Sequence, residues 1–346
     1  LGDVYKRQER NRYTVKIMVY EVRPDEMAEL KAQSQRLGVE IETTSAVPTL
    51  ENATLAAGCL GVSILGQGRI DAPLLDAYKA LGVAYLSTRT IGYDHIDLDH
   101  AHAIGLRVCN ASYAPNGVAD FTVMMILMCL RQYKQALWRG QVNDFSLAGL
   151  QGREMKDLTI GIIGTGRIGT QVIRNLSGFG CRILAYDLRR NPAVESLVTY
   201  VDFDTLLGQS DVISLHMPLL ESNRHMINRD AIARMKDGVV IINCSRGELA
   251  DIEALIEGIE TEKIGALGMD TAEGDEGIIH ADHRVDILPN RNWFYLHQFR
   301  NVIMTQHMAF YTDAAVASMV RCGLEGICQM ASGQSCPTEL KADAAR

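Results

Sequence analysis

Short apolar runs alternate with amphipathic segments along most of the chain. The run YTVKIMVYEV at 13–22 predicts a buried strand, and PDEMAELKAQSQRLG at 24–38 predicts a helix closed by Gly38. The same rhythm continues through GVSILG at 61–66, DAPLLDAYKALG at 71–82 and VAYLST at 83–88. Strands that alternate with helices in this way predict a parallel sheet with crossover helices.

The pattern changes at NASYAPNGVADFTVMMILMCLRQYKQALWRG, residues 110–140. A turn that contains Pro115 is followed by one long predicted helix that is apolar on more than one face. Such a helix needs more than one partner surface, so we place it at a domain junction that also serves as a subunit interface. Strand-like runs then restart and predict a second α/β sheet: LTIGIIG, CRILAYD, DVISLHM, GVVIINCS, IGALGMD and NVIMTQH.

Composition narrows the class of partner. The chain has 346 residues, is 47% hydrophobic and carries a formal net charge of -8, so we expect about two domains and no nucleic-acid partner. Its eight cysteines are scattered without a CxxC pair, which indicates reduced thiols and a cytoplasmic location. The apolar stretch VMMILMCL is far shorter than the roughly 20 residues of a membrane span, and no secretory leader precedes the first strand. Small molecules are the expected ligands.

A glycine-rich turn predicts a dinucleotide site. In GIIGTGRIG the residues Gly164, Gly166 and Gly169 have GxGxxG spacing, follow an apolar strand and open a helix at Arg167 and Ile168. Glycines there permit a tight turn and close approach of the backbone to a pyrophosphate, which the amides at the helix N-terminus receive. The alternative is a glycine turn that binds no nucleotide, which the full strand, turn and helix context disfavours.

An acidic residue after the next strand selects the cofactor. Asp187 follows Gly169 by 187 − 169 = 18 residues, close to the roughly 20 expected for the acid that binds the ribose 2′-hydroxyl. A 2′-phosphate would be repelled by this carboxylate, although Arg189 and Arg190 follow closely and weaken the argument. The sequence therefore predicts NAD rather than NADP.

Three apolar runs end in reactive side chains. VVIINCSRG leads to Arg246, NVIMTQH leads to His307, and IGALGMDTAEGDEG leads to four acids: Asp270, Glu273, Asp275 and Glu276. Parallel sheets bind ligands beyond the carboxyl ends of their strands. A guanidinium for a carboxylate, a proton donor and an anion beside it are the groups that hydride transfer to a carbonyl requires. Each alone is more often a surface or structural residue, but their shared position favours a site.

Six motifs in order resemble the D-isomer-specific 2-hydroxyacid dehydrogenases, in particular the D-lactate dehydrogenase branch with its VanH-type reductases: STRTIGYDHIDL, NASYAPNGVADFTV, GIIGTGRIG, SDVISLHMPL, INCSRGEL and TQHMAFYT. The resemblance implies two Rossmann-like, doubly wound parallel-sheet domains with a cleft between them. The flavodoxin-like substrate domain would comprise residues 13–112 and 309–346, and the NAD-binding domain residues 113–308. The polar residues 1–12 match no element and are left out of the predicted fold.

The resemblance also implies roles for the reactive residues. Arg246 and His307 would be catalytic, with a carboxylate five residues after Asp270, which is Asp275. The family usually has Glu there, so Glu276 stays a rival for that role. Asp270 itself resembles the family acid near the nicotinamide ring, and Glu273 receives no role. Gln306 stands where the family commonly has Pro, which predicts looser positioning of His307.

Further residues take roles from the resemblance. The backbone at Ile91 and Gly92 would cradle the substrate carboxylate, Tyr113 would contact the substrate, and His216 would lie beside the adenosine of the cofactor. The run YDHIDLDHAH at 93–102 contains metal-ligand residue types, but its spacing is unlike that of a zinc site. We therefore expect no metal.

The predicted function is reversible NADH-dependent reduction of a 2-oxo acid, pyruvate, to D-lactate. His307 would be the acid and base, Arg246 would clamp the substrate carboxylate, and Asp275 would orient the imidazole. The same chemistry on 2-oxoisocaproate, glyoxylate or hydroxypyruvate stays open, as does a non-catalytic NAD(H)-sensing protein like the corepressors of this scaffold. The family and the long apolar helix predict a homodimer.

Overall fold

A computed structural model describes residues 15–288 and 290–341. The prediction for residues 1–12, like the first two residues of the predicted strand at 13–22, falls outside the described residues. The described residues form two compact units: one contains those up to Ala114 and those from Thr312, and the other lies within Pro115–Tyr311. The sequence predicts these junctions at 112/113 and 308/309.

Within the described residues, the strands are β1 Lys16–Val19, β2 Glu40–Thr43, β3 Gly61–Ile64, β4 Tyr85–Thr88, β5 Arg107–Cys109, β6 Thr159–Ile163, β7 Arg182–Tyr186, β8 Thr199–Tyr200, β9 Val212–Leu215, β10 Val239–Asn243, β11 Ile264–Met269, β12 Val302–Met304 and β13 Glu339–Leu340.

In the same described residues, the α-helices are α1 Met27–Leu37, α2 Ala72–Ala80, α3 Leu98–Ala103, α4 Asn116–Leu130, α5 Tyr133–Gln141, α6 Arg167–Ser177, α7 Phe203–Gln209, α8 Arg229–Arg234, α9 Ile252–Glu260, α10 Arg291–Gln298 and α11 Asp313–Ala331. Short 3₁₀ helices occur at Pro24–Glu26, Ala53–Ala56, Met155–Asp157, Pro192–Val194, Glu221–Asn223 and Gly247–Leu249. None of the described helices is long and apolar enough to traverse a lipid bilayer.

The first unit is built on a sheet with the order β13-β5-β4-β3-β1-β2. The strands are parallel except β13, which pairs antiparallel with β5. α11 follows the second unit in the chain but packs on α1 and β4 of the first. The predicted Gly38 C-cap is confirmed, since Gly38 has the left-handed φ of 67° after α1. The inner strands β1, β3, β4 and β5 are largely buried, which explains their apolar runs, whereas the edge strand β2 is mostly exposed.

Charged groups are also buried in the first unit, each with partners. Arg89, directly after β4, is fully buried and its Nε donates to Oε1 of the equally buried Glu26 at 3.0 Å. Its Nη2 donates to the carbonyl of Tyr20 at 3.0 Å. The Glu21 carboxylate accepts backbone N–H groups of four successive residues, Leu65 to Gly68. Buried charges need such partners, so these bonds fix the loops at the carboxyl ends of the strands.

The second unit contains a parallel sheet with the order β12-β11-β10-β9-β6-β7-β8. Two apolar cores lie against it, and α4 contributes the fully buried Met125 and Ile126 to one of them. The predicted class of two doubly wound parallel sheets is confirmed. The neighbouring positions of β10, β11 and β12 bring their carboxyl ends to one edge of this sheet.

The long apolar helix predicted after the Pro115 turn is α4, and it covers only part of the stretch 110–140. α4 ends at Leu130, and Gln132 has a left-handed φ of 52° before α5 begins. The backbone N–H of Arg153 donates to the carbonyl of Leu130 at 3.1 Å, where a continuing helix would need that carbonyl for itself. A Cβ on Gly152 would lie only 2.6 Å from the same oxygen, so the neighbouring segment fits closely over the helix end.

Candidate active site

The carboxyl ends of three adjacent strands carry the predicted catalytic side chains. Asp270 directly follows β11, while Arg246 follows β10 and His307 follows β12, each by three residues. Backbone hydrogen bonds continue the ladder beyond the strands: Asp270 N donates to Asn243 O and Thr305 N to Met269 O, both at 2.9 Å. Parallel neighbouring strands lie about 4.8 Å apart, so the three segments begin side by side.

A buried asparagine shapes the turn that presents Arg246. The Asn243 Nδ2 donates to the Arg246 carbonyl at 2.7 Å, and its Oδ1 accepts from the N–H of Ser245 at 3.0 Å and from the hydroxyl at 2.9 Å. Arg246 is partly exposed, and its Nη1 donates to the Ser245 carbonyl at 2.8 Å. The main chain at Arg246 is therefore fixed by a side chain from the end of β10.

Asp270 holds the segment that carries His307. Its Oδ1 accepts from Thr305 Oγ1 at 2.6 Å and from Met308 N at 2.9 Å, and its Oδ2 accepts from Ala309 N at 2.8 Å. The residue is only 1% exposed, so these donors replace its hydration. His307 lies between them with a left-handed φ of 54°, a conformation that a non-glycine residue adopts only when its surroundings impose it.

His280 and Phe310 surround His307. The His280 Nε2 donates to the His307 carbonyl at 3.2 Å, and the ring centroids of His280 and Phe310 lie 6.2 and 6.3 Å from that of His307. No role for His280 is predicted from the sequence, because this residue lies in an irregular segment far from His307 in the chain. No local pattern marks it.

The two rivals for the catalytic carboxylate have different surroundings. Asp275 is partly buried and its Oδ2 accepts from the N–H of Ala272 at 3.2 Å, whereas Glu276 is exposed. Burial raises the pKa of Asp275 to about 6, opposed by the Ala272 hydrogen bond and supported by the negative charges of Glu248, Glu276 and Asp270. Asp275 is therefore the more shielded of the two carboxylates, and its catalytic role stays a prediction.

The glycine loop has the shape that a dinucleotide requires. Gly164 has a φ of 95°, and a Cβ there would lie 2.5 Å from the His216 carbonyl. A Cβ on Gly169 would lie 2.0 Å from the Gly164 carbonyl, whereas one on Gly166 would meet nothing within 4 Å. The first and last glycines are therefore required by the protein itself, and Gly166 faces open space.

The helix α6 begins at Arg167, with Ile168 in its first turn. Asp187 lies against this loop: its Oδ2 accepts from Thr165 N at 2.6 Å, and its Oδ1 accepts from Arg189 N at 3.0 Å. The guanidinium of Arg190 lies over the Tyr200 ring at 5.6 Å.

His216 follows β9 behind the glycine loop. Its Nε2 is 2.9 Å from Ser214 Oγ, and its buried Nδ1 has no hydrogen-bond partner among the described residues. Burial lowers the pKa of His216 to about 4, so its ring is neutral at pH 7. The predicted place beside the adenosine stays a prediction.

In the first unit, the loop after β4 is fixed through its carbonyls. Asn110 Nδ2 donates to the Ile91 carbonyl at 2.7 Å, and Thr90 Oγ1 donates to the Gly92 carbonyl at 2.7 Å. Because the C=O and N–H of a trans peptide point in opposite directions, these bonds also orient the next N–H groups. Tyr113 is partly buried, and its contact with substrate stays a prediction.

The histidines of residues 93–102 have separate partners. His95 Nε2 is 3.3 Å from Thr88 Oγ1, His100 Nε2 is 2.8 Å from Asp76 Oδ1, and His102 Nε2 is 2.9 Å from the Leu340 carbonyl. Among the described residues, no three or more His, Cys, Asp or Glu side chains are grouped to hold a metal ion.

Known proteins are similar in sequence to this chain over most of its length. A family model for the D-isomer specific 2-hydroxyacid dehydrogenase NAD-binding domain matches residues 123–309. The aromatic 2-oxoacid reductase of Clostridium sporogenes is 42% identical over 88% of this chain and 93% of its own. The D-lactate dehydrogenase of Escherichia coli is 37% identical over 94% of this chain and 100% of its own. The chain belongs to the D-isomer specific 2-hydroxyacid dehydrogenase family.

A solved structure of the family agrees with the fold. The NAD-complexed D-isomer specific 2-hydroxyacid dehydrogenase from Lactobacillus delbrueckii ssp. bulgaricus aligns with a TM-score of 0.80 and 32% identity, covering 94% of this chain and 100% of that one. The family resemblance predicted from the six motifs is confirmed. The protein is an NAD-dependent oxidoreductase that reduces 2-oxo acids to D-2-hydroxy acids.

The residues of the glycine loop fit NAD. The open space at Gly166 and the N-terminus of α6 suit a pyrophosphate, and the Asp187 carboxylate at the end of β7 suits a ribose hydroxyl.

Alanine substitutions at Gly169 and Gly166 test which glycine the fold itself requires and which one leaves room for the cofactor. We expect Gly169→Ala to lower the melting temperature, because its Cβ meets a backbone oxygen and overpacking costs roughly 1–3 kcal/mol. Gly166→Ala should keep the melting temperature of the unliganded protein but weaken NADH binding about tenfold or more, since its Cβ enters the pyrophosphate space. Thermal melts and NADH fluorescence titration measure both. Normal NADH affinity in Gly166→Ala would contradict the assignment.

Proposed function

We propose that Arg246, Asp275 and His307 perform the reduction of the 2-oxo acid. The observation that carries this proposal is the placement of all three segments beyond adjacent strands β10, β11 and β12. NADH, when bound, supplies the hydride that adds to C2 of the substrate. The remaining steps belong to side chains of this chain.

Arg246 binds the substrate carboxylate. Its planar guanidinium offers two parallel N–H donors to two carboxylate oxygens, which the single ammonium of a lysine does not reproduce. The turn fixed by Asn243 limits the conformations of Arg246 before substrate arrives, so less freedom is lost on binding. The same cation polarises the carbonyl group that is reduced.

His307 donates the proton. The imidazolium gives its proton to the carbonyl oxygen of the substrate as C2 becomes tetrahedral, and the reverse reaction returns it. Asp275, when ionised, stabilises the imidazolium and raises the pKa of His307 by opposite charge. Asp270 accepts three hydrogen bonds from the segment around His307 and so holds His307 at its left-handed φ. Its predicted role near the nicotinamide stays part of this proposal.

We further propose, as the family resemblance implies, that the backbone N–H groups at Ile91 and Gly92 bind the substrate carboxylate and that Tyr113 is a polar contact to the substrate. The hydrogen bonds from Asn110 and Thr90 support this role, because they hold the peptide groups of the loop in one orientation. Buried Arg89, two residues earlier, anchors the start of the same loop.

Two substrate classes are candidates. Pyruvate, predicted from the D-lactate dehydrogenase branch, has support from the 37% identity with the Escherichia coli enzyme. A 2-oxo acid with an aromatic side chain has support from the 42% identity with the Clostridium sporogenes reductase. Both share the carboxylate and carbonyl that Arg246 and His307 would engage, so only the side-chain pocket distinguishes them.

Turnover decides the reaction and the substrate class. We expect NADH oxidation with a panel that includes pyruvate, phenylpyruvate, 2-oxoisocaproate, glyoxylate and hydroxypyruvate, and a D-configured product in a stereospecific assay. The ratio of kcat/KM for phenylpyruvate and pyruvate ranks the two candidates. Tight NADH binding without turnover of any of these acids would instead favour an NAD(H)-sensing protein.

Asp275→Asn should reduce kcat/KM for the 2-oxo acid about 10²-fold, the lower range for loss of acid and base catalysis. The pKa of Asp275 is raised to about 6, so wild-type activity should decline as pH falls through that region and the carboxylate becomes protonated. In Asp275→Asn this acid limb should disappear. The alkaline limb should move to lower pH, because His307 loses its anionic partner.

Glu276→Gln is the matched control for that variant. It removes a neighbouring exposed carboxylate and should keep kcat/KM and both limbs of the pH profile. If Glu276→Gln lost activity while Asp275→Asn kept it, the assignment would be shifted by one residue.

We also propose a homodimer. The apolar surface of the segment 124–147 is large: Met124, Tyr133, Leu137, Trp138, Val142, Phe145 and Leu147 are each between 41% and 83% exposed. Contiguous exposed apolar patches mark association surfaces, and cyclic dimers are the commonest assembly of soluble chains. A second copy of this chain is therefore the proposed occupant.

Light scattering after gel filtration tests the dimer. We expect a mass near 76 kDa, twice the chain mass of 38.2 kDa. Trp138→Glu combined with Leu147→Glu should shift the mass to that of one chain, whereas Leu50→Glu, an exposed leucine of the first unit, should not. A single-chain mass for the wild type at micromolar concentration would reject the proposal.

A further inference from the structure

Three segments of the second unit meet beside the proposed catalytic residues. The segment 225–227 runs along residues 248–251: His225 N donates to Glu248 O at 2.8 Å and Ile227 N to Leu249 O at 3.0 Å. This second segment begins two residues after Arg246. The third segment contains Ala272 and Glu273 and leads to Asp275.

The closest approach is between backbones. A Cβ on Gly247 would lie 2.3 Å from the Ala272 carbonyl carbon and 2.5 Å from Glu273 N. The turn after Arg246 therefore rests directly on the peptide that precedes Glu273. Only a glycine allows this backbone contact. The distance between the Arg246 turn and the acidic loop therefore depends on how firmly the acidic loop is held in place.

The Glu273 side chain supplies that hold. Its Oε1 accepts from the His225 Nε2 at 2.6 Å, and its Oε2 accepts from the N–H of Ile252, the first residue of α9, at 3.4 Å. Arg224 Nη1 lies 3.9 Å from Oε1. The Glu273 carboxylate therefore connects the acidic loop both to His225 and to the start of α9.

We propose that Glu273, held by His225, is a positioning residue that fixes the Asp275 loop against the Arg246 turn. The inference rests on the roles of Arg246 and Asp275 under the proposed function. Glu273 and His225 touch neither substrate nor cofactor in this account. They determine the separation of the two groups that do, and a displacement of about 1 Å at such groups can cost roughly 100-fold in rate.

A surface ion pair without such a role would behave differently. His225 and Glu273 have side-chain exposures of 37% and 24%, and exposed pairs generally contribute little to stability. Removal of a merely structural pair would alter the amount of folded protein but leave kcat and KM per active site unchanged. Removal of a positioning pair would alter both constants in protein that remains folded.

The experiment compares Glu273→Ala, His225→Ala and the double variant with wild type in full steady-state kinetics. We expect each single variant to lower kcat and raise KM for the 2-oxo acid, with kcat/KM reduced roughly tenfold or more. NADH affinity, measured by fluorescence, should stay unchanged, because neither Glu273 nor His225 belongs to the glycine loop at residues 164–169. The double variant should lose no more than one single variant, since both remove the same bond.

Two further variants control for chemistry and folding. His225→Gln keeps an N–H donor near the Nε2 position and should restore kcat/KM to within about twofold of wild type. Asp76→Ala removes a comparable His–carboxylate bond of 2.8 Å, that to His100 in the first unit, and should leave kinetics unchanged. If Glu273→Ala fails to fold by circular dichroism, the pair His225→Ala and His225→Gln carries the test alone.

Several outcomes would overturn the inference: normal kcat/KM in both single variants, additive losses in the double variant, or His225→Gln as impaired as His225→Ala. Arg246→Lys and Asp275→Asn in the same assay identify the source of failure. If these two lose activity while the Glu273 and His225 variants do not, only the positioning role is wrong. If these two are fully active, the proposed function itself is wrong.

Discussion

The parallel pairing of β10, β11 and β12 is the constraint on which the site depends. These strands end at the mutually paired residues Asn243, Met269 and Met304, so the residues after them emerge at one edge without long loops to bring them there. Hydrogen bonds from Asp270 N and Thr305 N extend this order past the last strand residues. A slip in register at β11 would separate Asp270 from the His307 segment and remove the partners of a buried carboxylate, so register and site are specified together.

Asp270 converts that strand order into local geometry. A carboxylate that is 1% exposed is tolerated only with donors, and the His307 segment provides three of them. In return the segment is held in a conformation that includes the left-handed His307. Gln306 stands where the family commonly has Pro, and the absence of that proline predicts a looser segment. In the structure, hydrogen bonds to Asp270 and from His280 restrain the segment in place of the fixed φ of a proline.

The sequence predicted the features that depend on local pattern. Alternating apolar runs predicted both sheets, the GxGxxG spacing predicted the turn at Gly164 and Gly169, and strand ends predicted where Arg246 and His307 would lie. It failed where contacts between distant segments decide. The break after Leu130 depends on Arg153 and Gly152, and the bond between His225 and Glu273 joins residues 48 positions apart. His280 likewise becomes relevant only when an irregular segment folds back on His307, and no periodicity encodes that.

The acidic run after β11 shows why residue type alone does not define a role. Asp270 is buried and satisfied by three donors, Glu273 is bonded to His225 and the start of α9, and Glu276 is exposed. Asp275 combines partial burial with a single short-range N–H donor and neighbouring negative charges, which is why its pKa rises to about 6. A positive charge nearby favours the ionised form of such a group. In the proposed mechanism the protonated His307 supplies that charge to Asp275.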